Sequence, residues 1–182
     1  DAGSTRIGLG VDQGGVDLIR VVDNGHGIHP DDLGLAFASH ATSKLRDADD
    51  LFRIGTLGFR GEALASIGGG PQVTLQSRPP NLASGCEVIC HGGQLSVVKP
   101  WNGSPGTRIE VRHLFFNTPV RRKFLRGPST EFGHVSEAFT RLALSHPELH
   151  LTLSHNGKTV YEVSGGKDVL SGERLRERIG LF

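Results

Sequence analysis

Residues 21–28 read Val21-Val22-Asp23-Asn24-Gly25-His26-Gly27-Ile28, an apolar strand end leading into an acid and then two glycines separated by one residue. A carboxylate fixed at the end of a strand accepts a hydrogen bond from an exocyclic amine, and glycines let a ligand approach the backbone closely. Asp23, Gly25 and Gly27, with Asn24 between them, are therefore candidates to hold an amino-bearing base such as adenine. The same Asp-Asn-Gly run is also a common turn signal. What accompanies it decides between the two.

Two further stretches accompany it, His40-Ala41-Thr42-Ser43-Lys44 and Gly58-Phe59-Arg60-Gly61-Glu62-Ala63-Leu64-Ala65-Ser66-Ile67. Phosphates need backbone N–H donors, positive charge and usually a metal. Gly58, Gly61 and the start of a helix after Gly61 supply donors and the positive end of a helix dipole. Simpler roles stand beside these: Thr42-Ser43-Lys44 as a solvated loop entrance, and Arg60 with Glu62 as an exposed ion pair. Further along, Arg121, Arg122, Lys123 and Arg126 are clustered enough to contact DNA phosphates, in a salt-sensitive way. A solvated charged face would carry the same residues.

The elements that must position these groups follow from hydropathy and turn residues. Alternation predicts strands over 6–11 and 16–22 around Gly14-Gly15, a hairpin that ends on Asp23. Pro30, Asp31 and Asp32 open a helix that continues through Leu33, Phe37 and Ala38. Residues 42–57 hold no apolar period and read as a mobile loop, and 61–67 form a short helix stopped by Gly68-Gly69-Gly70-Pro71. Strands over 72–77, 86–91, 94–99 and 107–111, with no helix between them, argue for antiparallel pairing. A short helix is predicted over 120–125 and a longer one over 129–145, with Phe132, Val135, Phe139, Leu142 and Ala143 on one face. A last hairpin, 149–154 and 159–163, turns on Asn156-Gly157. Hairpins with helices stacked on one side make an α/β two-layer sandwich, a mainly antiparallel mixed sheet with helices on one face.

At 182 residues the chain can bury one sizeable core, and its net charge of +1 gives no bulk argument for nucleic acid. No apolar run approaches the roughly 20 residues of a membrane span. Cys86 and Cys90 lack CxxC spacing and read as ordinary strand thiols, so no structural zinc is expected. The nine histidines read as surface or hydrogen-bonded residues. The chain contains no Met, Asp1-Ala2-Gly3 reads as the end of a helix, and Gly165-Gly166 with the charged 173–178 reads as a linker entering another helix. These features suggest a piece of a longer protein.

Taken in order and spacing, DNGHGI, HATSK, GFRGEALASI and LFFNTPVRRKFL resemble the N-terminal ATPase region of the MutL family of DNA mismatch-repair proteins, a branch of the GHKL superfamily. The last segment narrows the superfamily to MutL. The resemblance spans residues 1 to about 161. It implies the GHKL (Bergerat) ATPase fold over 1–163 without its first helix, and 164–182 as a linker and the start of a following domain. It implies ATP and Mg²⁺ as ligands, with the nucleotide held by Asp23, Asn24, Gly25, Gly27, Thr42, Ser43, Lys44 and a lid stretch Gly58, Phe59, Arg60, Gly61, Glu62 and Ala63. Thr107 backs up the adenine-binding Asp, and Ala2 lines the pocket. The family's catalytic Glu and Mg²⁺-binding Asn sit on the helix that ends in Asp-Ala-Gly, upstream of Asp1. No catalytic or metal residue is therefore expected within these residues, and the fragment should hydrolyse poorly or not at all. The parent protein should hydrolyse ATP slowly as a switch that promotes homo- or heterodimerisation and alters contacts with DNA and a mismatch-recognition (MutS-type) protein. An intracellular location, in cytoplasm, nucleoid or nucleus, goes with this, and no membrane.

Two other functions fit parts of the sequence. A non-catalytic module could bind DNA or partners through the basic segment, which the intact Asp23, Gly25, Gly27, Gly58 and Gly61 argue against. Another GHKL enzyme, a type II topoisomerase subunit or histidine kinase, is disfavoured by NTPVRRKFL.

Overall fold

The computed structural model describes residues 2–38, 63–166 and 172–182, and for 172–175 the backbone alone. Its frame is a nine-stranded sheet: β1 (Arg6–Asp12), β2 (Leu18–Asp23), β3 (Gln72–Arg78), β4 (Gly85–His91), β5 (Gln94–Leu95), β6 (Lys99–Trp101), β7 (Gly106–Arg112), β8 (His150–His155) and β9 (Lys158–Val163). The spatial order is β5-β4-β3-β7-β2-β1-β8-β9, with β6 pairing β4. All pairings are antiparallel except β1 with β8. That exception follows from the connection, since a parallel pair needs a crossover and α3 (Pro128–Ser145) lies on the way back.

Helices cover one face. α1 (Ala63–Gly68), α2 (Pro119–Arg122) and α4 (Gly172–Ile179) complete the set with α3. Phe139 and Ala143 of α3 pack on Val11, Leu151, Leu153 and Val163, with Phe132 and Val135 beside them. A second cluster joins Leu33, Leu75 and Val88, and a third joins Val73, Cys90 and Val111 with Ile67 and Leu114. Period-two alternation in β3 puts Val73, Leu75 and Ser77 inward and Gln72, Thr74 and Gln76 outward. The outer face is polar, with Glu110 of β7 reached by Arg20, Arg108 and Arg112.

The architecture agrees with the expected sandwich, and several local expectations are corrected. The helix predicted from Pro30 through Ala38 is two 3-10 turns, Pro30–Asp32 and Leu35–Phe37. Gly34 is a poor helix former, and seating Leu33 at 0 % exposure on the sheet outweighs the favourable Pro-Asp-Asp start. The strand expected over 94–99 is split into β5 and β6, which pair with different parts of β4. The helix expected over 120–125 is the single turn α2, opened by Pro119. Leu142, expected on the buried stripe of α3, is 50 % exposed and lies outside the core cluster that Phe139 and Ala143 join. Gly3 takes a φ of +66°, the backbone shape of a helix stop. Past α4, Phe182 packs against Phe139 and Tyr161, with ring centroids 6.3 and 5.1 Å away.

Candidate functional site

Asp23 is the last residue of β2, and its neighbours across the ladder define the site. Asp23 stands opposite Thr107 of β7, Thr107 opposite Ser77 of β3, and Ser77 opposite Cys86 of β4. The helix-covered side of the sheet thus carries one lateral row, acid, hydroxyl, hydroxyl, thiol. Directly opposed residues on antiparallel strands hold their Cβ atoms about 4.5–5.5 Å apart, so neighbours in such a row can act on one ligand. One Asp23 carboxylate oxygen, Oδ1, accepts the Gly25 amide at 2.8 Å, which folds the chain back at the strand end. Among the described residues no group donates to the other oxygen.

The two glycines prove to be demanded by the protein's own backbone. A Cβ on Gly25 would lie 2.7 Å from the Ala2 carbonyl oxygen, and His26 donates its amide to that same carbonyl at 2.9 Å. Gly27 has φ +69°, and a Cβ there would lie 2.6 Å from the Arg78 carbonyl oxygen. A close approach demands glycine at both positions, and the carbonyls of Ala2 and Arg78 make one. Ala2 is brought to the site by the same packing. Asn24, which the resemblance puts at the nucleotide, bonds to the start of β1. Its side-chain oxygen accepts from the amides of Thr5 and Arg6 and from the Ser4 hydroxyl, and its amide donates to Thr5 Oγ1. It clamps the entrance of β1.

Ser77 was not singled out by sequence, since a serine in an alternating strand gives no signal. It is 1 % exposed, and its hydroxyl bridges the Ile28 amide, the Gly106 carbonyl and the Thr107 hydroxyl. Burying a hydroxyl is tolerable only with such partners. Thr42, Ser43, Lys44, Gly58, Phe59, Arg60, Gly61 and Glu62 lie outside the described residues. Ala63 is the first residue of α1, whose far end is tied to the LFFNTP segment: Asn117 donates to the Gly69 carbonyl at 3.3 Å, and Ile67 packs in the cluster that Leu114 joins. Two non-glycine residues take positive φ here, His113 (+55°) just before that segment and Phe115 (+62°) within it, a strained shape held by packing.

Arg121, Arg122, Lys123 and Arg126 are all exposed around α2, beside Val120 at 68 % and Phe124 at 81 % exposure. Among the described residues none of the four cations pairs with a carboxylate. They are not brought near Asp23 by any described contact. Cys86 and Cys90 are free thiols on β4. Burial pushes the Cys90 thiol up, partly offset by a backbone hydrogen bond from Gly93. Among the described residues no helix is long and apolar enough to cross a membrane.

No protein-family model matches the chain. The DNA mismatch repair protein MutL of Xanthomonas campestris pv. campestris is 49 % identical over 180 residues, covering 99 % of this chain and 29 % of that protein. The MutL of Colwellia psychrerythraea is 51 % identical over 161 residues, 88 % of this chain and 25 % of that one. Among solved structures, the Aquifex aeolicus MutL ATPase domain complexed with ADP superposes with a TM-score of 0.75 at 31 % identity, covering 100 % of this chain and 62 % of that one. The N-terminal domain of a DNA repair protein, at TM-score 0.78 and 22 % identity, shares the fold. A mixed, mostly antiparallel sheet with few helices is the architecture of a MutL-type ATPase domain. The chain belongs to the MutL family of DNA mismatch repair proteins and corresponds to its ATPase-domain region. It spans 29 % of the length of the first curated relative above.

Proposed function

We propose that this region binds the adenine of ATP through Asp23, as the nucleotide switch of a slow mismatch-repair ATPase. The observation that carries the proposal is the Asp23–Thr107–Ser77 row, a polar strip on an otherwise apolar inner face. Asp23 accepts from the exocyclic amine, the Gly25 hydrogen bond holds its carboxylate in place, and Thr107 orders the adjoining edge of the base. Bound nucleotide supplies phosphates with their Mg²⁺, on which Thr42, Ser43, Lys44 and the lid stretch Gly58 to Ala63 act in this reading. The relative from Aquifex aeolicus was obtained with ADP, which supports the ligand class.

The switch reading adds DNA and a MutS-type protein as partners of the parent protein, in an ATP-dependent dimer. The exposed cations at 121, 122, 123 and 126 are its DNA-facing residues, and the Asn117–Gly69 bond is a physical link from the lid helix to them. The boundary after Val163 belongs to the same reading, with 164–182 leading to a following domain. Calorimetric titration with a non-hydrolysable ATP analogue and Mg²⁺, beside Asp23→Ala, tests the core of it. Losing a charge-assisted hydrogen bond should weaken binding by about 10- to 100-fold. Equal affinity in the variant would remove Asp23 from the site and with it the proposal.

A further inference from the structure

Asp23 accounts for attraction to an amino group but leaves the buried Ser77 hydroxyl without a role. That oxygen has three neighbours at hydrogen-bond distance: the Ile28 amide at 2.8 Å, the Gly106 carbonyl at 3.0 Å and the Thr107 hydroxyl at 3.0 Å. A serine hydroxyl has one proton to donate and two lone pairs to offer. The Ile28 amide can only donate, and the Gly106 carbonyl can only accept. One arrangement satisfies all three contacts together: Ser77 donates to Gly106 and accepts from both Ile28 and Thr107. The Thr107 proton is then committed to Ser77, and the rest of the Thr107 oxygen presents lone pairs alone. Beside it stands Asp23, whose ionised carboxylate also only accepts.

We propose that Ser77 is the positioning residue that makes the polar floor of this pocket acceptor-only, and so selects a 6-amino purine over a 6-oxo purine. The proposal rests on the nucleotide reading above. An amino group, or a water donating to both Thr107 and a ring nitrogen, meets such a floor with protons. A 6-oxo group meets it with lone pairs, leaving buried acceptors facing each other, which is the costly mismatch in recognition by hydrogen bonds. Without Ser77 the Thr107 hydroxyl can turn and donate into the pocket, and the mismatch is relieved.

The test is titration of the whole chain with ADP and with inosine diphosphate, for the wild type, Ser77→Ala, Thr107→Val and the double variant. Ser77→Cys, which keeps the side chain's shape with a weak donor, stands in if the alanine variant does not fold. The wild type should prefer ADP, and Ser77→Ala should narrow the ADP-to-inosine ratio by about fivefold, the worth of one neutral hydrogen bond. In the Thr107→Val background the same change should leave the ratio alone. Parallel weakening of both nucleotides would mean that Ser77 only supports the fold, and would overturn the proposal. Narrowing that persists without Thr107 would overturn it as well. Failure of folded wild type to bind either nucleotide would instead sink the nucleotide reading, and this proposal with it.

Discussion

Glu110 shows how one side chain can set both local order and pH response. It is 7 % exposed, with Arg112 at 2.9 Å, Arg20 at 3.9 Å and Arg108 also bonded to it. Burial alone pushes its carboxyl up, but hydrogen bonds and charge from Arg108 and Arg112 outweigh it and hold the group below its ordinary 4.5. A folded value below the unfolded one contributes stability that is complete above the ordinary value and lost as pH falls through the folded one. Glu110→Gln should therefore destabilise the chain at pH 7 by about 1–2 kcal/mol, a modest figure because the half-exposed guanidiniums are screened by solvent. Urea melts should show the gap closing below about pH 4. A gap that stays constant down to pH 3 would mean that charge is not its cause.

Among the elements, Arg178 anchors α4 to the end of α3. Arg178 is 4 % exposed and donates to five backbone carbonyls: Ala143 at 2.7 Å, Ser164 at 2.8 Å, Pro147 at 3.1 Å, and His146 and Leu149 at 3.2 Å. These include orphan carbonyls at the end of α3, which no intrahelical donor can reach. A planar guanidinium with five N–H groups can serve such a set, whereas an ammonium with three cannot. Desolvation lowers the Arg178 pKa from its ordinary value, with Glu148 opposing, and the group stays charged at any working pH. Arg178→Lys should release α4 while leaving the sheet intact, seen as faster amide exchange over 172–182 and unchanged exchange in β2, β3 and β7. Uniform acceleration throughout would mean that α4 is part of one cooperative unit. The two 3-10 turns after Pro30 make the complementary point: the residues favour a helix start, and burial of Leu33 decides the actual shape.

At the scale of the whole molecule, charge is distributed by place rather than by amount. A net charge of +1 hides an exposed basic corner at 121, 122, 123 and 126 and three arginines gathered on Glu110 on the outer sheet face. If the corner meets DNA, each phosphate contact contributes about −0.7 to −0.9 to the slope of log affinity against log salt. Replacing all four cations with glutamine should flatten that slope by up to about 3 units and leave nucleotide binding unchanged. An unaltered slope would assign DNA contact to another surface. Asn117 joins the segment that leads into this corner to the end of α1.

The strands, the last hairpin, the place of Asp23 at a strand end and the resemblance carried by four motifs were legible in the sequence, because they depend on local pattern. Alternation fixes which side of a strand is apolar, Asn-Gly turns a hairpin, and an acid after a strand ends at the sheet's rim. Thr107 was legible only through the family resemblance. Tertiary structure alone decided the rest. Ser77 joins Asp23 because β7 inserts between β2 and β3, a neighbourhood made by residues 54 and 30 positions apart in the chain. Asn24 bonds to the entrance of β1, and Gly25 and Gly27 meet Ala2 and Arg78, because distant segments arrive there. Arg178 reads as one charge in a charged run until five carbonyls converge on it. Local pattern determines which face a residue takes, whereas its partners depend on strand order and packing, which no short window of sequence contains.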